Sequence, residues 1–388
     1  MPVRHPISPR DLRNRTPEGS CTSRLLIGVW ILATVGLVLV AGCVRHPTSQ
    51  RQAVRTEAPS LFVGSAVCAA CHAQEAETHR ISRHATTLHL VDRSSPEASN
   101  PPARDIPQTA YIIRAVGEGF QVALKDAPQR SPPLQLAFGS GKTGITYVSL
   151  LSSDTLEEAR LTYFPHQHRW HITPGQEWAR DQELGRSRQG DAARQCVLCH
   201  AVTLPDHSLM PEKRFLGVGC ESCHGPGGAH VAAMQAGNFT DLHMEKIDRW
   251  SATQINEFCG KCHTAQGIES LPEQQSITEV QTQRFQAYGL MQSACFTQGQ
   301  TKLSCISCHD PHTDASHNPR TYEAVCLQCH TAHPSQTRSQ SVRGKVCPVN
   351  ASSGCIGCHM PLRKAFPDTD IPTVMADHRI HVQLSQAR

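Results

Sequence analysis

Large aromatic side chains are scarce in this sequence, with Phe, Trp and Tyr together making up 5% of 388 residues. A chain of this length normally buries such side chains, so their shortage excludes a conventional aromatic interior unless another large apolar body takes their place. No basic stripe runs along the sequence. With so few rings to stack on bases, a nucleic-acid surface is excluded as well.

Cysteine, by contrast, is plentiful, and 14 of the 18 residues fall into seven copies of Cys-x-x-Cys-His. The copies are Cys68, Cys71 and His72; Cys196, Cys199 and His200; Cys220, Cys223 and His224; Cys259, Cys262 and His263; Cys305, Cys308 and His309; Cys326, Cys329 and His330; and Cys355, Cys358 and His359. Two thiols three positions apart can add across the two vinyl groups of one haem, and the adjoining imidazole is then held beneath the iron. Zinc is the rival reading, because a Cys-x-x-Cys pair supplies half of a tetrahedral thiolate site. Zinc places no demand on the following residue, however, and seven His by chance have odds on the order of one in a billion. The motifs therefore predict seven covalent haem c groups, with the seven His as proximal ligands.

The N-terminus reads as an export signal. Arg4, Arg10, Arg13, Arg15 and Arg24 precede an apolar run from Leu25 to Gly42, which ends at Val40-Ala41-Gly42-Cys43. Small residues directly before Cys43 resemble a bacterial lipobox, so residues 1–43 read as a lipoprotein-type signal in which Cys43 is lipidated and becomes the mature N-terminus. An uncleaved anchor is the alternative, since the run just reaches the length of a spanning helix. Both place the bulk of the chain outside the cytoplasm, in the periplasm or on the cell surface. Residues 44–60 are polar, contain Pro47 and Pro59, and read as a tether.

Cys21 lies in the leader, so Cys295 and Cys347 remain unassigned. In an oxidising compartment they are expected to pair as a disulfide. The formal net charge of +4 falls to +1 once the five leader Arg are removed against Asp11 and Glu18. Seven haems with ionised propionates would take the protein from about −6 oxidised to about −13 reduced, so reduction should draw in protons.

The spacing of the motifs divides the chain. A gap of 128 residues separates His72 from His200, and six motifs then crowd into residues 196–359. That leaves each about 27 residues, too few for an independent side-chain core, so the macrocycles must form the core. The expected fold is mainly α with much irregular chain, haem-cored, with a small antiparallel β insertion between the first and second sites. Segments 61–92, 93–178 and 179–388 are read as a first haem segment, the β-rich insertion and a six-haem domain.

Within the gap, Tyr111 to Val116 and Phe120 to Leu124 flank Gly117-Glu118-Gly119, as in a hairpin. Further strands are expected at Leu134 to Phe138, Ile145 to Leu150 and Arg160 to Phe164, and the insertion should brace the first haem. Helices are expected at Ala73 to Leu90, Ala252 to Cys259 and Tyr322 to Cys329.

A second axial ligand on each iron decides the chemistry, because an iron with two protein ligands passes electrons and one with an open position can transform a small molecule. His312 lies too near His309 to reach the far side of the same haem, so it should serve a neighbour. His230, after a Gly-Pro-Gly-Gly turn, invites the same inference. His84 and His378 complete the leading set, with His381 as alternate to His378. His333, His243, His207 and His171 rank lower, and His79, His89, His166, His168 and His317 are read as non-ligating. Met360 directly follows a proximal His and cannot reach the other face of that iron.

Several stretches resemble exported multihaem cytochromes of the cytochrome c-554 type. They are Val63-Gly64-Ser65 before Cys68, Ser82-Arg83-His84-Ala85, Gly219-Cys220-Glu221-Ser222-Cys223-His224-Gly225-Pro226-Gly227, Cys308-His309-Asp310-Pro311-His312, and Cys358-His359-Met360-Pro361 followed by Asp377-His378-Arg379-Ile380. The similarity covers residues 61–92 and about 179–388. It implies a largely helical fold cored by stacked haem pairs and carries over His84, His230, His312 and His378 as distal ligands. That type has four haems, so the seven sites and the β-rich stretch depart from it. The expected function is electron transfer between redox protein partners. The alternative is an oxidoreductase with one open haem, acting on a small nitrogen or sulfur oxyanion. No Cys-x-x-Cys-Lys site, the marker of the pentahaem nitrite reductases, is present.

Overall fold

Alternation of apolar and polar side chains from Tyr111 to Phe164 builds strands, because successive residues of a strand face opposite sides. In the computed structural model, residues 62–92, 101–102, 104–176, 184–263, 285–299, 303–330, 344–366, 369–371 and 373–382 are described. The expected leader, tether, Cys43 and His333 lie outside them.

The strands are β1 Leu88–Leu90, β2 Tyr111–Val116, β3 Gly119–Leu124, β4 Pro133–Leu134, β5 Leu136–Phe138, β6 Ile145–Leu150, β7 Thr155–Phe164, β8 Arg169–Ile172, β9 Gly185–Gln189, β10 Leu362–Lys364 and β11 Val374–Ala376. One six-stranded antiparallel sheet runs β1-β5-β6-β7-β8, with β9 also paired to β7. A second sheet runs β2-β3-β4, and β10 pairs with β11. The expected hairpin forms in the register Tyr111 to Leu124 through Val116 to Gly119.

Both faces of the larger sheet are covered. On one side Ile145, Tyr147, Leu161 and Tyr163 pack with Ile113, Phe120 and Val122 of the smaller sheet. On the other, Leu88, Leu136, Val148 and Leu156 pack with Ala193 and Val197 of helix α3, Asp191–Leu198. Each fully buried Leu, Ile or Val here contributes about 1.5–3 kcal/mol, which makes residues 88–215 a region with an ordinary side-chain core.

The remaining helices are short. Before the sheets come α1 Ser65–Ala69 and α2 Ala73–Arg80, and after α3 come α4 Cys220–His224, α5 Gly228–Gln235, α6 Ala252–His263, α7 Gln286–Met291, α8 Ala294–Thr297, α9 Pro319–Leu327 and α10 Cys355–His359. Beyond Phe215 the only described apolar residues that are buried are Ala233, Ile255, Ala287, Leu290, Phe296, Ala365 and Ile371. Among the described residues no helix is long and apolar enough to cross a membrane.

Three expectations need correction. The architecture is mixed helix and strand rather than mainly α: the sheet is not small, and it recruits β1 from the first haem segment and β9 from beyond residue 178. The helix after His72 stops at Arg80 instead of continuing to Leu90, because Leu88, His89 and Leu90 pair with Leu136, Ala137 and Phe138. The expected Cys295 to Cys347 disulfide is not formed, and both thiols are free. Cys295 lies within electrostatic reach of Cys308, Cys326 and Cys329, whereas Cys347 lies within reach of Cys355.

Candidate haem sites

Each motif occupies a helical turn. In the first, the His72 and Cys71 amides both donate to the Cys68 carbonyl, at 2.9 and 3.1 Å. The same closure recurs at His309 with Cys305 and at His330 with Cys326, 2.9 and 3.0 Å. Residues three apart on such a turn share a face, which is the geometry two thiols need to meet one planar partner.

The histidines meet in twos. His230 faces His72 with ring centroids 6.4 Å apart, His312 faces His224 at 6.3 Å, His84 faces His263 at 6.0 Å, and His378 faces His309 at 6.2 Å. Each pair joins one motif His to one of the four leading distal candidates. Two metal–imidazole bonds of about 2 Å plus the two half-rings add up to about 6 Å, the spacing that an iron between the members of a pair would need. A porphyrin supplies four equatorial bonds of its own and asks the protein for two axial ones. Among the described residues no three His, Cys, Asp or Glu converge to hold a metal ion, as a closed zinc cage would require.

Backbone oxygens and one carboxylate turn the rings. The Nδ1 atom meets the Leu242 carbonyl in His230 (2.8 Å), the Ala376 carbonyl in His378 (2.9 Å), the Pro311 carbonyl in His84 (3.4 Å) and Asp310 Oδ1 in His312 (3.0 Å). Among the motif residues, His330 meets the Lys345 carbonyl at 2.7 Å, His359 the His381 carbonyl at 3.0 Å, and His200 the Thr87 carbonyl and hydroxyl at 3.1 and 2.9 Å. An N–H given up at Nδ1 leaves Nε2 as the lone-pair nitrogen, the arrangement of a metal-binding imidazole.

His200 differs in its surroundings. Phe138 stacks on its ring at 4.5 Å and 4°. Burial pushes the imidazole down from its ordinary 6.5 to about 4.

The remaining candidates fare unequally. His171 is buried, binds Asp370 Oδ1 at 2.9 Å through Nδ1, and has no hydrogen-bond partner at Nε2. His207 and His243 are exposed, and His243 leans on Asp241 at 3.6 Å. His381 binds the Arg379 carbonyl at 2.6 Å. Of the residues read as non-ligating, His166, His168 and His317 are exposed, His89 is half-buried, and His79 is buried.

Thiols of different motifs also meet. Cys68 lies beside Cys220, Cys199 beside Cys262, Cys259 beside Cys305, and Cys326 beside Cys355. These contacts link the first site with the third, the second with the fourth, the fourth with the fifth, and the sixth with the seventh.

Two side chains that hold the sites together had no role assigned from the sequence. Glu221 is 3% exposed and accepts from the backbone N–H groups of Val63 (2.9 Å), Gly64 (2.7 Å) and Gly227 (2.7 Å), tying the first motif to the third. Its signal was a carboxylate inside a motif followed by a glycine-rich turn. Asn256 is fully buried. It accepts from the Cys305 amide (2.9 Å) and thiol (3.2 Å) and donates to the Leu303 carbonyl (3.1 Å), fixing the fifth motif to α6. Gly217, at φ +78°, lets the backbone pass so near Ala85 that a Cβ would sit 2.0 Å from its carbonyl oxygen. The neighbouring Val218 amide bonds the His84 carbonyl at 2.9 Å, which fixes that ligand candidate.

Residues 160–225 match the family model described as cytochrome c554 and c-prime. That segment starts inside β7 and runs through the second and third motifs. A multihaem cytochrome, MtrA, of Shewanella baltica (strain OS185) is 23% identical over 186 residues, covering 44% of this chain and 54% of that protein. The chain therefore spans about half the length of this curated relative. The crystal structure of the outer cell wall cytochrome OcwA is similar in fold, with a TM-score of 0.50 and 16% identity over 82% of this chain and 79% of that one. Together with the motifs, these likenesses support a multihaem c-type cytochrome, a class that carries covalently bound haem c.

Proposed function

We propose that the chain is a heptahaem c-type cytochrome that transfers electrons outside the cytoplasm through sites with two imidazole ligands. The observation that carries this reading is the set of four His pairs with ring centroids 6.0–6.4 Å apart. In it, His230, His312, His84 and His378 are the distal ligands of the first, third, fourth and fifth sites. A haem held between two such rings supplies a one-electron iron couple at low potential.

The chain's own contribution is interlock. His230 follows the third motif yet faces the first, His312 follows the fifth yet faces the third, His84 follows the first yet faces the fourth, and His378 follows the seventh yet faces the fifth. Each ligand thus belongs to the segment of another site, which interlocks the first, third, fourth, fifth and seventh sites. The thiol contacts add the second site beside the fourth and the sixth beside the seventh, so all seven belong to one connected array. Redox proteins are the partners, and a lipid on Cys43, or an uncleaved helix, holds the protein at a membrane in the periplasm or on the cell surface.

A second reading has one observation in its favour. Among the described residues the paired imidazoles are those of His72, His224, His263 and His309, so His200, His330 and His359 mark the sites where an open axial position would be sought. One such site would make the protein an oxidoreductase acting on a small nitrogen or sulfur oxyanion. Carbon monoxide added to the fully reduced protein separates the two. The carrier predicts an unchanged absorption spectrum, and a stoichiometric shift at one haem refutes it in favour of the oxidoreductase.

A further inference from the structure

One short segment reaches two of the sites. Between α2 and β1 the chain turns through residues 82–87, closed by hydrogen bonds from the Thr86 amide to the Ser82 carbonyl (3.2 Å) and from the Thr87 amide to the His84 carbonyl (3.3 Å). His84 faces His263 of the fourth motif. Three residues on, Thr87 meets Nδ1 of His200, in the second motif, with two oxygens: its carbonyl at 3.1 Å and its hydroxyl at 2.9 Å. A further contact joins the same two motifs, since the Cys199 thiol donates to the Lys261 carbonyl at 3.8 Å.

The sheet holds these groups in place. The Thr87 carbonyl also accepts from the Gly139 amide at 2.8 Å, so both of its lone pairs are engaged. Gly139 lies at φ +119°, where a Cβ would overlap the Gly144 carbonyl oxygen, and the turn that aims this amide therefore admits no side chain. Phe138, in register with Leu88, lays its ring on the His200 imidazole at 4.5 Å and 4° from parallel. His330 and His359 each meet a backbone carbonyl at Nδ1, whereas His200 meets a side-chain oxygen as well. An imidazole that binds iron through Nε2 carries its proton on Nδ1, and that N–H is shared here between carbonyl and hydroxyl. Such hydrogen bonds raise the basicity of the ligating nitrogen, which favours ferric over ferrous iron.

We propose that Thr87 is the positioning residue of the second haem: its hydroxyl and carbonyl together draw on the Nδ1–H of His200, hold the ring against Phe138 and lower the potential of this centre. This rests on the proposed electron-transfer function and adds to it a residue that tunes one site. The proton stays on Nδ1 in both oxidation states, so no bond is made or broken. Backbone and side chain have separate duties. The Thr87 amide supports the turn that presents His84 to the fourth site, and the hydroxyl acts on the second site.

The test is a potentiometric titration of the haem-loaded full chain, followed optically and by electron paramagnetic resonance. Cys196→Ala/Cys199→Ala identifies the transition and the resonance of the second centre as the ones lost. Thr87→Val keeps the carbonyl and removes the hydroxyl. In it that centre should gain about threefold in its reduced-to-oxidised ratio at fixed potential, about 28 mV for one electron, with its g values displaced and the other centres in place. Thr87→Ser should restore both. Thr87→Val added to the cysteine variant should then move no remaining centre. If the cysteine variant does not assemble, the Val and Ser comparison still decides, because one transition must move and then return. A potential that stays put in Thr87→Val, a shift shared by several centres, or a loss of stability without a change of potential overturns this proposal. Protein that carries no haem overturns the electron-transfer function as well, so the two failures are distinguishable.

Discussion

Between Leu88 and Phe215 two sheets and one helix bury each other's side chains, whereas beyond Phe215 the helices carry five attachment motifs and few buried apolar groups. The same chain thus holds one region able to fold on side-chain burial alone and one whose interior must come from elsewhere. Polar staples such as Glu221 and Asn256 mark the second kind. They fix motif to motif, where the first region relies on Leu136, Val148 and Leu156. On the proposed reading, cofactor attachment and folding are separable events for the sheets and a single event for the rest.

Withholding haem breaks the comparison most forcefully. Unloaded full chain should retain protease-resistant residues 88–215 while the segments beyond Phe215 are digested, because a region with so little apolar burial cannot offset its chain entropy. Uniform resistance along the chain would show that the second region has a core of its own.

The Glu221 staple comes next. Glu221→Ala leaves the Val63, Gly64 and Gly227 amides buried without an acceptor, and should lower the stability of the loaded protein by about 3 kcal/mol in denaturant titration, with the 88–215 region unaffected.

A pH effect should follow from Glu158. Burial holds its carboxyl above the ordinary range in the folded chain, the Gln176 bond notwithstanding. The folded form then binds more protons than the unfolded one, so this contribution to stability is fully present below about 4.5 and is lost as pH rises through the folded value. Glu158→Gln should remove that pH dependence from the melting of the sheets, and an unaltered profile would contradict the assignment.

The smallest expected effect is at the seam between the two regions. Asp314 accepts from Lys142 Nζ at 2.7 Å and from the Arg83 amide at 2.7 Å, all three being partly exposed. Asp314→Ala should cost about 1 kcal/mol or less, and the loss should shrink as salt is raised.

How much of this was legible in the sequence follows the same division. The helical turns of the seven Cys-x-x-Cys-His motifs and the Tyr111 to Leu124 hairpin were readable because each rests on local spacing, whereas His84, His230, His312 and His378 were singled out in part by a family resemblance, and each lies beside a motif His. Strand β1 was not, since three residues at the end of a helix-compatible stretch become a strand only when β5 lies alongside. Strand β9, Gly-Arg-Ser-Arg-Gln, shows no apolar alternation, and its pairing with β7 comes from tertiary context. The disulfide failed as an expectation because elimination by counting says nothing about distance, and Cys295 lies among the thiols of the fifth and sixth motifs. Pairing of each distal His with a particular site was likewise unreadable, because every pair joins segments far apart in the chain.

The central claim is that thioether-bound macrocycles held between imidazoles replace an apolar interior beyond Phe215. Intact mass spectrometry of the mature protein, combined with alkylation of free thiols after denaturation, tests it most directly. The account predicts a mass increase of seven haem groups and no alkylation at any of the fourteen motif cysteines. Alkylated motif cysteines, or zinc in place of haem, would contradict it.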